Sequence, residues 1–353
     1  MRRGLLAWDR QEAPAEDMDA RLARMQTEMF DEGWDAVVLH TTFARPAAVS
    51  HFTQFVPYWN EAVLLIFPDG PPAIHAALSK RVHGWMREVS HLGEVNSAPK
   101  VGLGAASMLS ERLPMGAKVG VVDLDSLPLG VIEPLAEALG ADSLEDAGEA
   151  FRRIRHPADG IELTLAGRAG EIAGGALDAV PKDASDGPAL VSAIDDAARS
   201  AGAEESLIAV APDLGVGSLP YRLEGPVTLG ETFSVRISLA YKGVWVRAER
   251  CFARGAPPAV WQVADEWLAE VLPTIGNEGK VTTALAAPPG RIADWWIEAC
   301  VSSTPLTVIA GSEDGSALDL PPGSVAVLGI RMETVAGPWL RTLALLTGGA
   351  GVA

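Results

Sequence analysis

Gly230-Glu231-Thr232-Phe233-Ser234-Val235-Arg236-Ile237-Ser238 and then Gly243-Val244-Trp245-Val246-Arg247-Ala248-Glu249-Arg250-Cys251-Phe252 carry the β-branched and aromatic residues of two paired strands. Tyr241-Lys242-Gly243 between them reads as the hairpin connection, and Ser206–Ala211 supplies a third strand. Upstream, Pro157 opens a helical pattern through Ile161, Leu165, Ala169 and Ile172, and a second helix runs from Pro188 to about Ala201. Downstream, the pattern predicts a helix from Ala259 to Leu272, another from Arg291 to Cys300, and two last strands near Val325–Met332 and Trp339–Leu346. This half is α+β.

The first half has a different grain. A helix is predicted from Asp17 to Glu32, on the helical spacing of Met18, Leu22, Met25, Met29 and Phe30, and Gly33 stops it. Ala36–Leu39, a hairpin of Ala62–Phe67 and Ala73–Ala76 turning through Pro68-Asp69-Gly70, and Lys118–Val122 read as strands, with a helix over Leu127–Leu139. The pattern is that of an α/β domain. A boundary near Leu144 to Ala150 divides the chain into domains 1–150 and 151–353.

Composition narrows the function. A net charge of −18, with no Lys/Arg stripe to offset it locally, excludes nucleic acid and anionic membrane surfaces as partners. The start, with Arg2 and Arg3, has no apolar stretch of signal-peptide length, and no run of ~18 apolar residues occurs anywhere. Cys251 and Cys300 make no disulfide framework or metal spacing, which fits a reducing cytoplasm. Gly102-Leu103-Gly104 lacks the context of a dinucleotide fingerprint, the tail Gly348 to Ala353 is a small-residue chain end, and no cofactor is implied.

Four phrases carry a family resemblance. Phe151-Arg152-Arg153-Ile154-Arg155-His156-Pro157-Ala158-Asp159-Gly160-Ile161-Glu162-Leu163 resembles the junction motif that opens the catalytic domain of the creatinase and aminopeptidase-P group of M24 "pita-bread" proteins. Ala48-Val49-Ser50-His51-Phe52-Thr53-Gln54-Phe55 is similar to a phrase of their amino-terminal domains. Gly230–Ser238 and Gly243–Phe252 are similar to the two segments that bear their metal-binding aspartates. The resemblance implies a creatinase-like α/β domain followed by a pita-bread domain, and a dimer.

The chemistry departs from that pattern. In the family's peptidases two Asp, one His and two Glu hold a pair of divalent metals. Carried over, the Asp positions fall on Arg236 and Arg247, and the Glu positions on Gly329 and Arg341. A guanidinium has donors only and repels a metal. All six histidines, His156 the last, lie at or before the junction, so the second domain has none to bind metal or move a proton. If the three arginines share one cleft, they require neutralisation. Glu249 and Glu333 are candidates for doing so internally; otherwise an anionic ligand does it, with Tyr221, at the position of a family His, as a hydrogen-bond donor.

The expected protein is therefore an M24-like chain without metal ligands. It is a non-catalytic pseudoenzyme subunit, paired with itself or with an active paralogue, or a binder of an anionic small molecule or peptide. The alternative is a metal-independent creatinase-like hydrolase of a C–N bond in a small amidino or amide compound. In that case His51 or His40 would arrive from a partner chain.

Overall fold

The computed structural model describes residues 8–43, 45–57, 60–181, 183–301, 304–314 and 318–348. Arg2 and Arg3 at the start, and residues 349–353 of the small-residue tail, lie outside them. The chain divides into two compact units, with the break between His156 and Pro157.

The first unit contains, in chain order, α1 (Ala15–Glu32), β1 (Ala36–Thr42), α2 (Ala47–Thr53), β2 (Glu61–Ile66), β3 (Ala73–Ala76), α3 (His83–Val89), β4 (Glu94–Ser97), α4 (Val101–Arg112), β5 (Val119–Val121), α5 (Leu129–Leu139), β6 (Leu144–Asp146) and α6 (Gly148–Arg155). Its six strands form one mixed sheet in the order β4-β3-β2-β1-β5-β6. Both faces are covered, which is why β1 and β2 read as continuous apolar runs. Val37 and Leu39 meet α1, α2 and α6 through Met29, Phe52 and Phe151, while Ala36 and Val38 meet α4 and α5 through Leu109 and Leu135. Gly33, with φ 73°, ends α1 in the left-handed conformation that favours glycine. Gly102 and Gly104 lie inside α4, where a Cβ on Gly102 would come within 2.3 Å of the Gly130 carbonyl oxygen. Close helix packing accounts for that glycine.

The second unit continues with α7 (Gly160–Asp178), α8 (Gly187–Ser200), β7 (Glu205–Ala211), β8 (Thr232–Tyr241), β9 (Val244–Ala253), α9 (Ala259–Glu278), α10 (Val281–Ala284), β10 (Arg291–Val301), β11 (Thr304–Gly311), β12 (Val325–Thr334) and β13 (Gly337–Leu346). Asp159 and Asp186 cap α7 and α8, their carboxylates accepting from the amides of Glu162 and Ala189 at 3.0 and 3.1 Å. Lys242 and Gly243 both have positive φ, the requirement of the tight turn that joins β8 to β9. The seven strands lie in the order β11-β10-β12-β13-β9-β8-β7. Phe233, Val235, Ile237 and Leu239 pack on α7 and α8, and Leu328, Ile330, Met332 and Trp339 share a core with α9.

One predicted element is corrected. Residues 291–300, expected as a helix, form β10, paired antiparallel with β12. Trp295 and Ile297 enter the core with α9, while Trp296 and Glu298 point to the opposite face. The partner strand decides between two readings that the local sequence permits. Among the described residues no helix is long and apolar enough to cross a membrane.

Candidate functional site

Residues opposed on neighbouring antiparallel strands share a face of the sheet. The pairings Ala209↔Arg236, Arg236↔Glu249, Glu249↔Thr342, Thr342↔Gly329 and Gly329↔Trp296 therefore trace one row across β7, β8, β9, β13, β12 and β10. The row lies on the face away from α7, α8 and the body of α9. Two residues further along β8 and β10, Ser238 (opposite Arg247) and Glu298 extend this polar surface.

The side chains on this face are tied to one another. Arg247 donates from Nη1 to Glu298 Oε2 at 2.5 Å and from Nε to Ser238 Oγ at 2.9 Å. Trp296 Nε1 donates to Glu298 Oε1 at 2.7 Å, and Ser234 Oγ donates to Glu249 Oε1 at 3.1 Å. Glu249 and Glu298 are each only 1% exposed, so a partner for each charge is a condition of burying it. Glu298 has two donors. Glu249 has the Ser234 hydroxyl as its hydrogen-bond donor, and Arg236, opposite it across the ladder, acts on it through charge. Beside it the buried Thr342 hydroxyl has no hydrogen-bond partner among the described residues. At Gly329 the Trp296 indole occupies the space of the missing side chain, since a Cβ there would lie 2.1 Å from Trp296 Cε2.

Burial pushes the Glu249 carboxyl above the usual carboxylate range, against the opposing pull of Arg236, the Ser234 hydroxyl and Arg247. The folded chain then holds this proton more tightly than the unfolded chain, whose glutamates titrate near ~4.3. Stability from this group declines as pH rises from that value through the raised folded one, and stays lower above it. Glu249→Gln removes the ionisation but keeps an acceptor for Ser234. Thermal melts of the two proteins at about pH 4 and about pH 8 should show the variant gaining on the wild type at the higher pH; a constant difference counts against the shift.

Of the residues singled out in the sequence, Arg236, Arg247 and Glu249 come together as described. Arg341 does not join them. It pairs with Arg250, and Arg250 with Val235, so its side chain lies on the helical face, where Asp265 of α9 is 3.4 Å from Nη2. The strand position that shares the row is the next one, Thr342. Tyr221 is half exposed at the sheet edge, bridged to Val210, and shares the helical-face parity of Val235. Glu333 is exposed near the end of β12, four residues and so ~13 Å from Gly329. The partner of Arg247 is Glu298, not Glu249 or Glu333.

The two histidines singled out, His51 and His40, are both engaged within their own unit. His51 is buried between the rings of Phe52 and Phe151, and burial followed by the charge of Arg21 lowers its pKa well below the ordinary value. His40 is held 3.0 Å from Glu61. Cys251 lies against β13, its sulfur beside the Leu340 amide, and burial pushes its thiol far up, away from the reactive thiolate. Trp261 and Trp295 are core residues, with Trp267 packed against the same cluster.

No family model matches the chain, and no curated protein sequence does. Solved structures do. Prolidase from Pyrococcus horikoshii OT3 superposes with a TM-score of 0.69 over 95% of this chain and 97% of that chain, at 15% identity. Xaa-Pro dipeptidase from Bacillus anthracis gives 0.68 over 95% and 96%, at 15% identity. This chain has the prolidase fold. X-Pro aminopeptidase from Thermotoga maritima MSB8 shares it, with a TM-score of 0.69 over 91% and 95% at 14% identity.

The prolidase-fold sheet thus carries, on one face, arginines at the two positions where the family resemblance places metal-binding aspartates. The residues present do not fit a metal pair, because a guanidinium offers no lone pair and adds positive charge. Among the described residues, no three His, Cys, Asp or Glu side chains are gathered closely enough to hold a metal ion. Glu298, Trp296 and Thr342 were missed in the sequence. Glu298 and Trp296 become visible once 291–300 is read as an alternating strand, and Thr342 once strand parity is counted from Arg250.

Proposed function

We propose that this protein is a non-catalytic member of the prolidase fold, in which the row that serves hydrolysis in the fold's peptidases has become a structural charge network. The observation that carries the reading is the Arg247–Glu298 pair with its hydrogen bonds to Ser238 and from Trp296. Beside it Arg236 stands opposite Glu249 across the ladder, and its charge opposes the upward shift of that carboxyl. Arg247 is thus answered from within the chain, which lessens the need for an anionic ligand on this face. Function then comes through association, with a second copy or with an active paralogue to which this chain is a non-catalytic subunit.

The test joins metal counting with turnover. Protein incubated with Mn²⁺ or Co²⁺ and desalted should retain far less than one metal per chain, and should not cleave an Xaa-Pro dipeptide. Two retained metals together with Xaa-Pro hydrolysis overturn the reading. Native mass spectrometry of the protein from its own host then identifies the associated chain.

Glu249 supports a second reading. A buried carboxyl with a raised pKa has the properties of a general acid. A metal-independent hydrolase of a small amidino or amide compound would use it. Turnover of such a compound, abolished by Glu249→Gln, establishes that activity. Its absence across a panel of amidines and amides leaves the non-catalytic reading standing.

A further inference from the structure

A cavity of about 780 Å³ lies on the helical face of the second unit, between α7 and α9, floored by β9 and β13. It opens on the face of the sheet opposite Arg236 and Glu249, with Thr342 the one row position that also lines it, and the inference does not depend on that row being inert. Its size is that of pockets that take small organic ligands. The space exists because α7 presents Gly170, Ala173 and Gly174 to it. Leu268 and Leu272 of α9 and Leu343 of β13 make apolar walls.

Two guanidiniums line this apolar space, Arg250 and Arg341. They are not equally compensated. Arg250 is hydrogen-bonded to Asp178. Arg341 has only Asp265, at 3.4 Å from an oxygen that also accepts from Trp339 Nε1 at 3.1 Å, and it makes no hydrogen bond among the described residues. Burial accordingly lowers the Arg341 pKa, with Asp265 opposing it incompletely. Glu171, also on the lining, is bound to Arg168 at 3.0 Å, and so does not cancel the charge within. The cavity thus pairs a cation short of acceptors with apolar walls.

We propose that this cavity binds a small amphipathic carboxylate, its acid group clamped by Arg341 with Arg250 beside it, and its apolar body against Leu268, Leu272 and Leu343. A carboxylate matches the planar fork of a guanidinium with two parallel hydrogen bonds, which Asp265, at 3.4 Å from one nitrogen, does not supply. The apolar body releases water from the leucine walls.

Calorimetric titration of the full chain with octanoate, against octan-1-ol of the same length, tests this. Octanoate should bind at one site per chain and octanol at least ten-fold more weakly. Arg341→Met should weaken octanoate at least ten-fold, while Arg254→Met, paired with Glu231 outside both the cavity and the row, leaves it unchanged. If Arg341→Met fails to fold, Leu272→Trp decides, because it fills the cavity without touching the clamp and should abolish binding. A tetrapeptide ending in leucine, free or amidated, separates a chain end from a free acid as the source. The free peptide binding more tightly than octanoate assigns a chain end, and the reverse assigns a free acid. Equal binding of octanol, of the amidated peptide, or of octanoate to the Leu272→Trp variant overturns the proposal. So does failure of octanoate to bind at all.

Discussion

Replacing Glu298 with alanine is expected to destabilise the second unit by about 3–5 kcal/mol. The carboxylate is 1% exposed and receives hydrogen bonds from Arg247 and the Trp296 indole. Its removal leaves a guanidinium three-quarters buried, with Ser238 its remaining acceptor, and a partly buried indole N–H without its acceptor, and both penalties fall on the folded state alone. Arg247→Met in the same background should recover much of the loss, because the stranded charge leaves with its partner. Urea titrations of the two single variants and the double variant give the coupling between them. A loss below about 1 kcal/mol for Glu298→Ala would show the pair to be solvated, and would remove the main support for a structural role.

Gly329→Ala is the second large effect, expected to cost about 2–3 kcal/mol through overpacking. A strand position ordinarily gains from alanine over glycine, so a penalty here reverses the usual sign. The cause is the Trp296 ring, whose Cε2 and Cζ2 would lie 2.1 and 2.3 Å from the new Cβ. The indole cannot simply step aside, because its N–H is committed to Glu298. In a Trp296→Val background the same substitution should become neutral or mildly stabilising, since the space is vacated. Melting temperatures of the four proteins check this; a Gly329→Ala penalty that survives in the Trp296→Val background counts against the indole as its cause.

Much of the architecture was legible because its signals are local. Gly33 closing α1, the Pro68-Asp69-Gly70 turn and the Tyr241-Lys242-Gly243 hairpin are fixed by backbone requirements within a few residues. The hairpin also fixes the spacing that places Arg236 and Arg247 on one face. What failed was parity and period. Ile292, Trp295, Trp296 and Ala299 recur at helical spacing, yet the same ten residues alternate equally well, and only pairing with β12 selects the strand. Glu298 was hidden by that choice. Arg341 was placed one residue from the position that faces the row, and in a strand one residue is a change of face. The cavity between α7 and α9 left no sequence signal, since it arises from small side chains on elements far apart in the chain.

The ladder that joins β9 to β13 has consequences of its own. It contains two residue pairs, Arg341↔Arg250 and Thr342↔Glu249, where the ladders on either side contain ten. Beyond them a sulfur stands in for a carbonyl, with the Leu340 amide 3.1 Å from Cys251 Sγ. A sheet so joined behaves as two stiff plates on a narrow hinge, and the bond from Arg247 on β9 to Glu298 on β10 crosses that hinge as a staple. Amide exchange should therefore begin at Leu340–Thr342 before either plate opens, and alkylation of Cys251 should report the same opening, with both accelerating once the staple is cut.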